Sequence, residues 1–93
     1  MNRLPLPASV RAEAGAALDA LACGTSPGRD ALAAAVLVLE WEAAAHGDRE
    51  VMTAADLVRD LMGRDRISLD DTARRGAAAL ADMVRRCCPT TPT

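Results

Sequence analysis

Residues 42–62 of this chain read EAAAHGDREVMTAADLVRDLM, and this segment predicts two helices joined by a short loop. An alanine-rich helix ends at His46 and Gly47, and the run from Thr53 to Asp56 is typical of a helix start because a threonine side chain can cap the N-terminus. Apolar and charged residues then alternate with the period of an amphipathic helix. The segment therefore predicts a helix–loop–helix packing unit, but it does not define an activity.

Two more helices are predicted on either side of this unit. The first extends from about Pro7 or Ser9 to Ala22, and the last extends from Ser68 to about Cys87. Short connections between consecutive helices favour antiparallel neighbours. We therefore expect an all-α fold, either a compact four-helix bundle or an orthogonal helical array.

The second of the four helices is predicted to be the central one. Ser26 is placed to cap it, and Pro27 suits its first position because a proline there loses no hydrogen bond. The residues from Ala31 to Leu39 are apolar on every side of this helix, which extends to about His46. Because a helix without a polar face is usually buried, we expect this one to be the most enclosed.

The length and composition of the chain predict one small domain. The 93 residues are assigned to a single helical domain with a core of about residues 7–88 and a flexible tail at residues 89–93. Much of the 51% hydrophobic content is alanine, and Trp41 is the only aromatic residue. A core this small is often completed by a partner or by a second copy of the chain.

Charge and cysteine content exclude several classes of protein. The formal net charge is −2, whereas proteins that bind nucleic acids generally carry a positive excess, so a nucleic-acid partner is not expected. All eleven basic residues are arginines, which excludes chemistry at a lysine side chain. Three cysteines, two of them adjacent, predict no disulfide framework and favour a cytoplasmic location. No signal peptide and no membrane-spanning run is recognised.

The chain offers few groups for catalysis. His46 is the only imidazole, and we interpret it as a helix-end residue because a cation is favoured at a helix C-terminus. The histidine, cysteine and acidic residues do not have the spacing of metal ligands, and none of the common catalytic or nucleotide-binding motifs occurs. We therefore expect no enzymatic activity, no cofactor and no metal.

Part of the chain resembles the N-terminal helical repeat of Clp-family unfoldases. Residues 51–58, VMTAADLV, are similar to the loop and second helix of that repeat, and the alanine-rich helix that ends at His46 resembles its first helix. The family usually has histidine where Asp56 stands here, and it carries two tandem repeats where this chain has room for one. The resemblance covers about Ser26–Met62, and it implies a docking module for adaptors or substrates without catalysis of its own.

A DNA-binding transcriptional regulator is the alternative hypothesis, of helix-turn-helix or histone-like type. Residues 46–49 and 53–57 resemble the second loop and third helix of histone folds, although the helix that precedes them is shorter than the histone central helix. In a helix-turn-helix, the recognition helix would begin near Asp70 and Asp71. Carboxylates at that end repel phosphate, whereas a helix N-terminus normally attracts it.

The leading hypothesis is a small non-enzymatic protein–protein interaction module, such as an adaptor, inhibitor or accessory subunit. It would bind another protein through an apolar helix face, and a homodimer is one form of this interaction. Tryptophan and exposed apolar residues are frequent at the centre of interfaces, with arginines at the rim. On this basis the predicted partner-binding residues are Trp41, Leu57, Val58, Arg59, Leu61, Met62, Arg64 and Arg66.

Overall fold

The computed structural model of the chain describes residues 7–64 and 66–86. These residues form four α-helices, and no strand occurs among them. The prediction of an all-α fold is therefore confirmed. The helices are α1 (Ala8–Ala22), α2 (Arg29–His46), α3 (Arg49–Met62) and α4 (Asp71–Arg86).

The helices pack in the spatial order α4, α1, α2, α3. Helix α1 packs against both α2 and α4, and α2 packs against α3. The core between them consists of alanine, valine and leucine, and its largest fully buried side chains are Leu18, Val38, Leu39 and Val84. No helix in the described part of the chain is long and apolar enough to cross a membrane.

Helix α1 ends in a Schellman motif. Gly24 adopts a left-handed conformation with φ of 81°, which glycine reaches without steric cost. The N–H of Thr25 donates to the carbonyl oxygen of Ala20 at 2.9 Å, and the N–H of Gly24 donates to Leu21 at 3.1 Å. These bonds satisfy the last carbonyl groups of α1 and turn the chain towards α2.

Helix α2 begins later than the sequence predicts. Its first residue is Arg29 and its N-cap is Gly28, so Ser26 does not cap it and Pro27 precedes it. Glycine destabilises a helix interior by about 1 kcal/mol but is tolerated at the N-cap, which favours a start just after Gly28.

Helix α2 has the most buried residues of the four helices, as expected, but it is not enclosed on every side. Leu39 is fully buried, but Leu37 is 48% exposed. Because α2 packs between α1 and α3, its third side remains open.

Helix α3 begins four residues before the predicted start at Thr53. Gly47 ends α2 with φ of 64°, and Asp48 then caps α3. The carboxylate of Asp48 accepts hydrogen bonds from the N–H groups of Glu50 at 2.9 Å and Val51 at 3.2 Å. Aspartate is at least as good an N-cap as threonine, so the earlier candidate adds a turn to the helix. Thr53 lies inside α3, where its hydroxyl donates to a backbone carbonyl.

The cap of α3 gives a first testable expectation. Replacing Asp48 with alanine removes the acceptor for two N–H groups and is expected to lower the free energy of unfolding by about 1 kcal/mol. The same change at Ser26, which makes no cap bond to α2, is the matched control and should have little effect. Urea unfolding followed by circular dichroism measures both. Equal effects at the two positions would contradict the assignment of Asp48 as the cap.

Helix α4 begins at Asp71, three residues after the predicted start at Ser68, and Asp70 caps it. The carboxylate of Asp70 accepts a hydrogen bond from the N–H of Ala73 at 2.8 Å. Within α4, Arg86 and Asp82 form an ion pair at 3.1 Å. The predicted end of this helix near Cys87 and the predicted tail at residues 89–93 lie outside the described residues.

Candidate partner-binding groove

An apolar groove lies between α3 and α4, and α1 forms its floor. Its volume is about 370 Å³, which is within the range of ligand-binding clefts. Leu18 and Leu21 of α1 form the floor. Residues of α3, of α4 and of the segment between them form the walls: Ala54, Leu57, Val58, Asp60, Leu61, Arg64, Ser68, Leu69, Ala73, Gly76, Ala77 and Leu80.

The α3 wall follows from the amphipathic pattern of that helix. Val51 and Ala55 are buried against the rest of the core. Leu57 and Leu61 are one turn apart and lie on the neighbouring face, where they border the groove. Leu57 is 64% exposed, which makes it the most exposed large hydrophobic side chain among the described residues. The α3 wall therefore ends in a protruding apolar side chain.

The α4 wall is made mainly of small residues. Ala73, Gly76 and Ala77 line it, and Leu80 closes it at one end. A Cβ atom built at Gly76 would have no neighbouring atom within 4 Å. Small residues allow another backbone to approach closely, so this wall can accept a large side chain or a helix.

The charged groups at the rim of the groove neutralise each other. Arg64 donates to a single carboxylate oxygen of Asp60 through Nη2 at 2.7 Å and through Nε at 3.1 Å. Both residues border the groove, and both are mostly exposed. The groove therefore offers an apolar surface with a paired charge at its edge, which suits burial of an apolar partner side chain.

Half of the predicted partner-binding residues lie at this groove. Leu57, Val58, Leu61 and Arg64 line it. Leu57, Val58 and Leu61 recur at helical spacing along one face of α3, and Arg64 lies two residues after the helix ends.

The other four predicted residues lie elsewhere. Trp41 is half-buried on α2, and Arg59 forms ion pairs with Glu40 of α2 and with Asp56 of its own helix. Met62 is half-buried against the core, and Arg66 is exposed after α3.

A second cluster of polar residues was not predicted from the sequence. The Arg11 guanidinium and the Glu42 carboxylate form an ion pair at 3.3 Å, and both side chains are less than a tenth exposed. The other oxygen of Glu42 lies 3.2 Å from Nε2 of His46, which is exposed at the end of α2. The guanidinium carbon of Arg11 lies 5.2 Å from the centre of the Trp41 ring. This cluster joins α1 to α2, and it explains the position of Trp41 without a partner.

The sequence contained a signal for this ion pair. Arg11 lies three residues before buried Ala14 and seven before Leu18, so it falls on the apolar face of α1. Glu42 falls on the apolar face of α2, three residues after Leu39. Opposite charges on two facing apolar stripes indicate a buried pair.

The N-terminus of α4 bears on the DNA-binding hypothesis. The cap carboxylate of Asp70 is already bonded to the N–H of Ala73, and Asp71 is the first residue of the helix. A phosphate approaching this end would meet two negative charges. The hypothesis of a DNA-binding regulator stays a prediction, and nothing in this geometry favours it.

Apart from the groove, the described part of the chain offers few possible ligand-binding sites. Among residues 7–64 and 66–86, no three histidine, cysteine or acidic side chains are grouped so that they could hold a metal ion. Cys23 is an exposed free thiol. Comparisons of the chain with known protein families, with curated proteins and with solved structures gave no match.

Proposed function

We propose that this chain is a small, non-enzymatic protein–protein interaction module that binds an apolar helix face in the groove between α3 and α4. The observation that carries the proposal is the groove itself, which three helices form around an apolar floor of Leu18 and Leu21. An adaptor, an inhibitor and an accessory subunit would all use such a surface. The function rests on contact with another polypeptide, through the mode in which an amphipathic helix enters a hydrophobic groove.

The physical support comes from the cost of leaving this surface in water. Burial of a leucine side chain stabilises a complex by roughly 1.5–3 kcal/mol. Leu57 is 64% exposed, and Leu61, Leu69 and Leu80 are half-buried along the same groove. A partner that covers them gains only the part of this free energy that belongs to their exposed area, and it separates no charge from its counterion, because Asp60 and Arg64 are already paired.

A cross-linking experiment in the native host tests the proposal. The photo-crosslinking residue p-benzoylphenylalanine is placed at position 57, next to the groove, or at position 37, where Leu37 is also exposed but lies on α2. We expect a discrete cross-linked product from position 57. Position 37 should not give the same product, because Leu37 does not border the groove.

Filling the groove provides the second half of this test. The substitution Gly76→Leu places a large side chain in the open space beside α4 and also raises helix propensity, so the fold should be retained. We expect it to reduce the yield of the product from position 57 roughly tenfold, which corresponds to the loss of one good apolar contact. Ala78→Leu adds the same side chain at an exposed position of α4 outside the groove and should leave the yield unchanged. A product that is insensitive to Gly76→Leu, or no product from position 57, would contradict the proposal.

A further inference from the structure

The floor of the groove is covered even though the groove is open. Leu18 is 0% exposed and Leu21 is 2% exposed, although both border the cavity that Ala77 and Leu80 of α4 also line. A partner can therefore reach the floor only if an element that covers it moves. We propose that α4 is this element, and that it detaches from α1 as a unit while α1, α2 and α3 remain folded. Its role as a movable wall rests on the proposed function of the groove, whereas the detachment is a property of the chain alone.

Helix α4 has a single close neighbour in the described part of the chain. It packs closely against α1 alone, whereas α1 and α2 each pack against two helices. Its buried residues are Ala77, Ala81 and Val84, so two of the three are alanines. The stabilisation from packing is roughly proportional to the apolar area removed from water, and an alanine side chain offers little of it. The attachment of α4 to α1 is therefore stabilised less than a leucine-rich contact would be.

Helix α3 also has one close neighbour, but it is attached more firmly. It buries two valines and one alanine, Val51, Val58 and Ala55, where α4 buries one valine and two alanines. Residues 47–48 separate α3 from α2, whereas residues 63–70 separate α4 from α3. Because the entropy lost by fixing the ends of a connection grows with its length, the longer one opposes the attachment of α4 more strongly. Of the two walls of the groove, α4 is therefore the one that leaves first.

The polar contacts between α4 and α1 do little to hold the two helices together. Arg85 of α4 forms an ion pair with Asp19 of α1, but the two side chains are 55% and 45% exposed. Near the other end of α4, the guanidinium group of exposed Arg74 lies over Gly24, where a Cβ atom would be 3.3 Å from it. Exposed ion pairs contribute little to stability, because water competes for both partners. The contact between α4 and α1 therefore has exposed polar ends around a core of small side chains.

Native-state hydrogen exchange, followed by NMR on the purified full-length chain, tests the inference. An isolated helix of this length is marginal in water, so the amides of a detached α4 exchange with solvent. We expect the α4 amides to exchange about a hundredfold faster, relative to their intrinsic rates, than the slowest amides of α1–α3, because a partial opening requires less free energy than global unfolding. Low concentrations of urea should change the exchange of α4 less than that of the other helices, because detachment exposes less surface than global unfolding.

Two valine-to-alanine substitutions separate detachment from global unfolding. Val51 and Val84 are 6% and 1% exposed, on α3 and α4 respectively. Val51→Ala should speed exchange at the slowest amides of α1–α3 about tenfold through the lost apolar burial, and it should leave α4 unchanged, because Val51 remains packed when α4 detaches. Val84→Ala removes the same groups from the contact with α1, so it should speed exchange at the α4 amides about tenfold.

Two results would overturn the inference. One is exchange of the α4 amides at the rate of the slowest amides in α1–α3, with the same dependence on urea. The other is an equal effect of Val51→Ala on α4 and on the other helices, because α4 would then open only when the whole chain unfolds. The first result is obtained on the unsubstituted chain, so it decides the question even if Val51→Ala does not fold. Neither result bears on the proposed function, since exchange is measured without a partner and the cross-linked product from position 57 is detected independently.

Discussion

Replacement of Glu42 by glutamine is expected to destabilise the fold by about 3–5 kcal/mol, the usual cost of removing one partner from a buried ion pair. The Glu42 side chain is 3% exposed, and its carboxylate lies 3.3 Å from the guanidinium group of Arg11, which is 7% exposed. Glutamine has the same shape but no charge, so the buried Arg11 guanidinium loses the attraction of this carboxylate. For a domain of this size such a loss is a large part of the total stability. Urea unfolding followed by far-UV circular dichroism measures it.

Glu40 provides a matched control two residues away on the same helix. Its carboxylate pairs with Arg59, but the two side chains are 37% and 53% exposed. Exposed ion pairs contribute roughly 0–1 kcal/mol, so Glu40→Gln should change the free energy of unfolding by no more than that. If the two glutamine variants were equally stable, the pair formed by Glu42 would not be buried in solution.

A double substitution separates the charge from the packing. Arg11→Met together with Glu42→Leu replaces the pair with apolar side chains, and such replacements of buried pairs are often neutral or stabilising. We expect the double variant to be more stable than Glu42→Gln alone. The methionine also gives up the stacking of Arg11 on Trp41, which reduces the gain by about 0.5–1 kcal/mol. A double variant less stable than the single one would show that the polar cluster determines the fold.

The sequence predicted the number and type of helices because their signals are local. Apolar spacing, alanine content and glycine stops act within one or two turns, and they place α1 and the ends of α2 and α3 close to their observed positions. The helix starts were predicted less well. Asp48 and Thr53 are both acceptable N-caps, and the choice between them depends on how the chain leaves Gly47, which is a property of the fold.

The candidate site was predicted only in the part that belongs to one helix. The amphipathic period of α3 brings Leu57 and Leu61 to one face, so they could be named from the sequence. The floor at Leu18 and the small-residue wall at Gly76 come from helices that are distant in sequence. No local sequence pattern predicts that α3 and α4 are separated. Their separation depends on how α3 packs on α2 and how α4 packs on α1.

The same reason explains why the sequence did not show that one side of α2 is open. Its residues 31–39 are apolar all round, so their pattern has no polar face from which a buried side could be identified. The neighbouring helices alone decide which side of α2 is buried. Here α1 and α3 cover Leu39 but not Leu37. The open side of α2 bears Leu37 and the half-buried Trp41, whose ring is already covered in part by Arg11.

The two leucines of this run therefore give the second large expected effect. Leu39 is fully buried, so Leu39→Ala should destabilise the fold by about 2–5 kcal/mol through the lost apolar transfer energy and the cavity that remains. Leu37 lies two residues away on the same helix but is 48% exposed, so Leu37→Ala should cost no more than about 1 kcal/mol. Both variants have the same composition and similar helix propensity, which leaves burial as the difference between them. Equal losses in urea unfolding would mean that α2 is covered on its open side in solution, and a concentration-dependent loss for Leu37→Ala alone would place a subunit contact there.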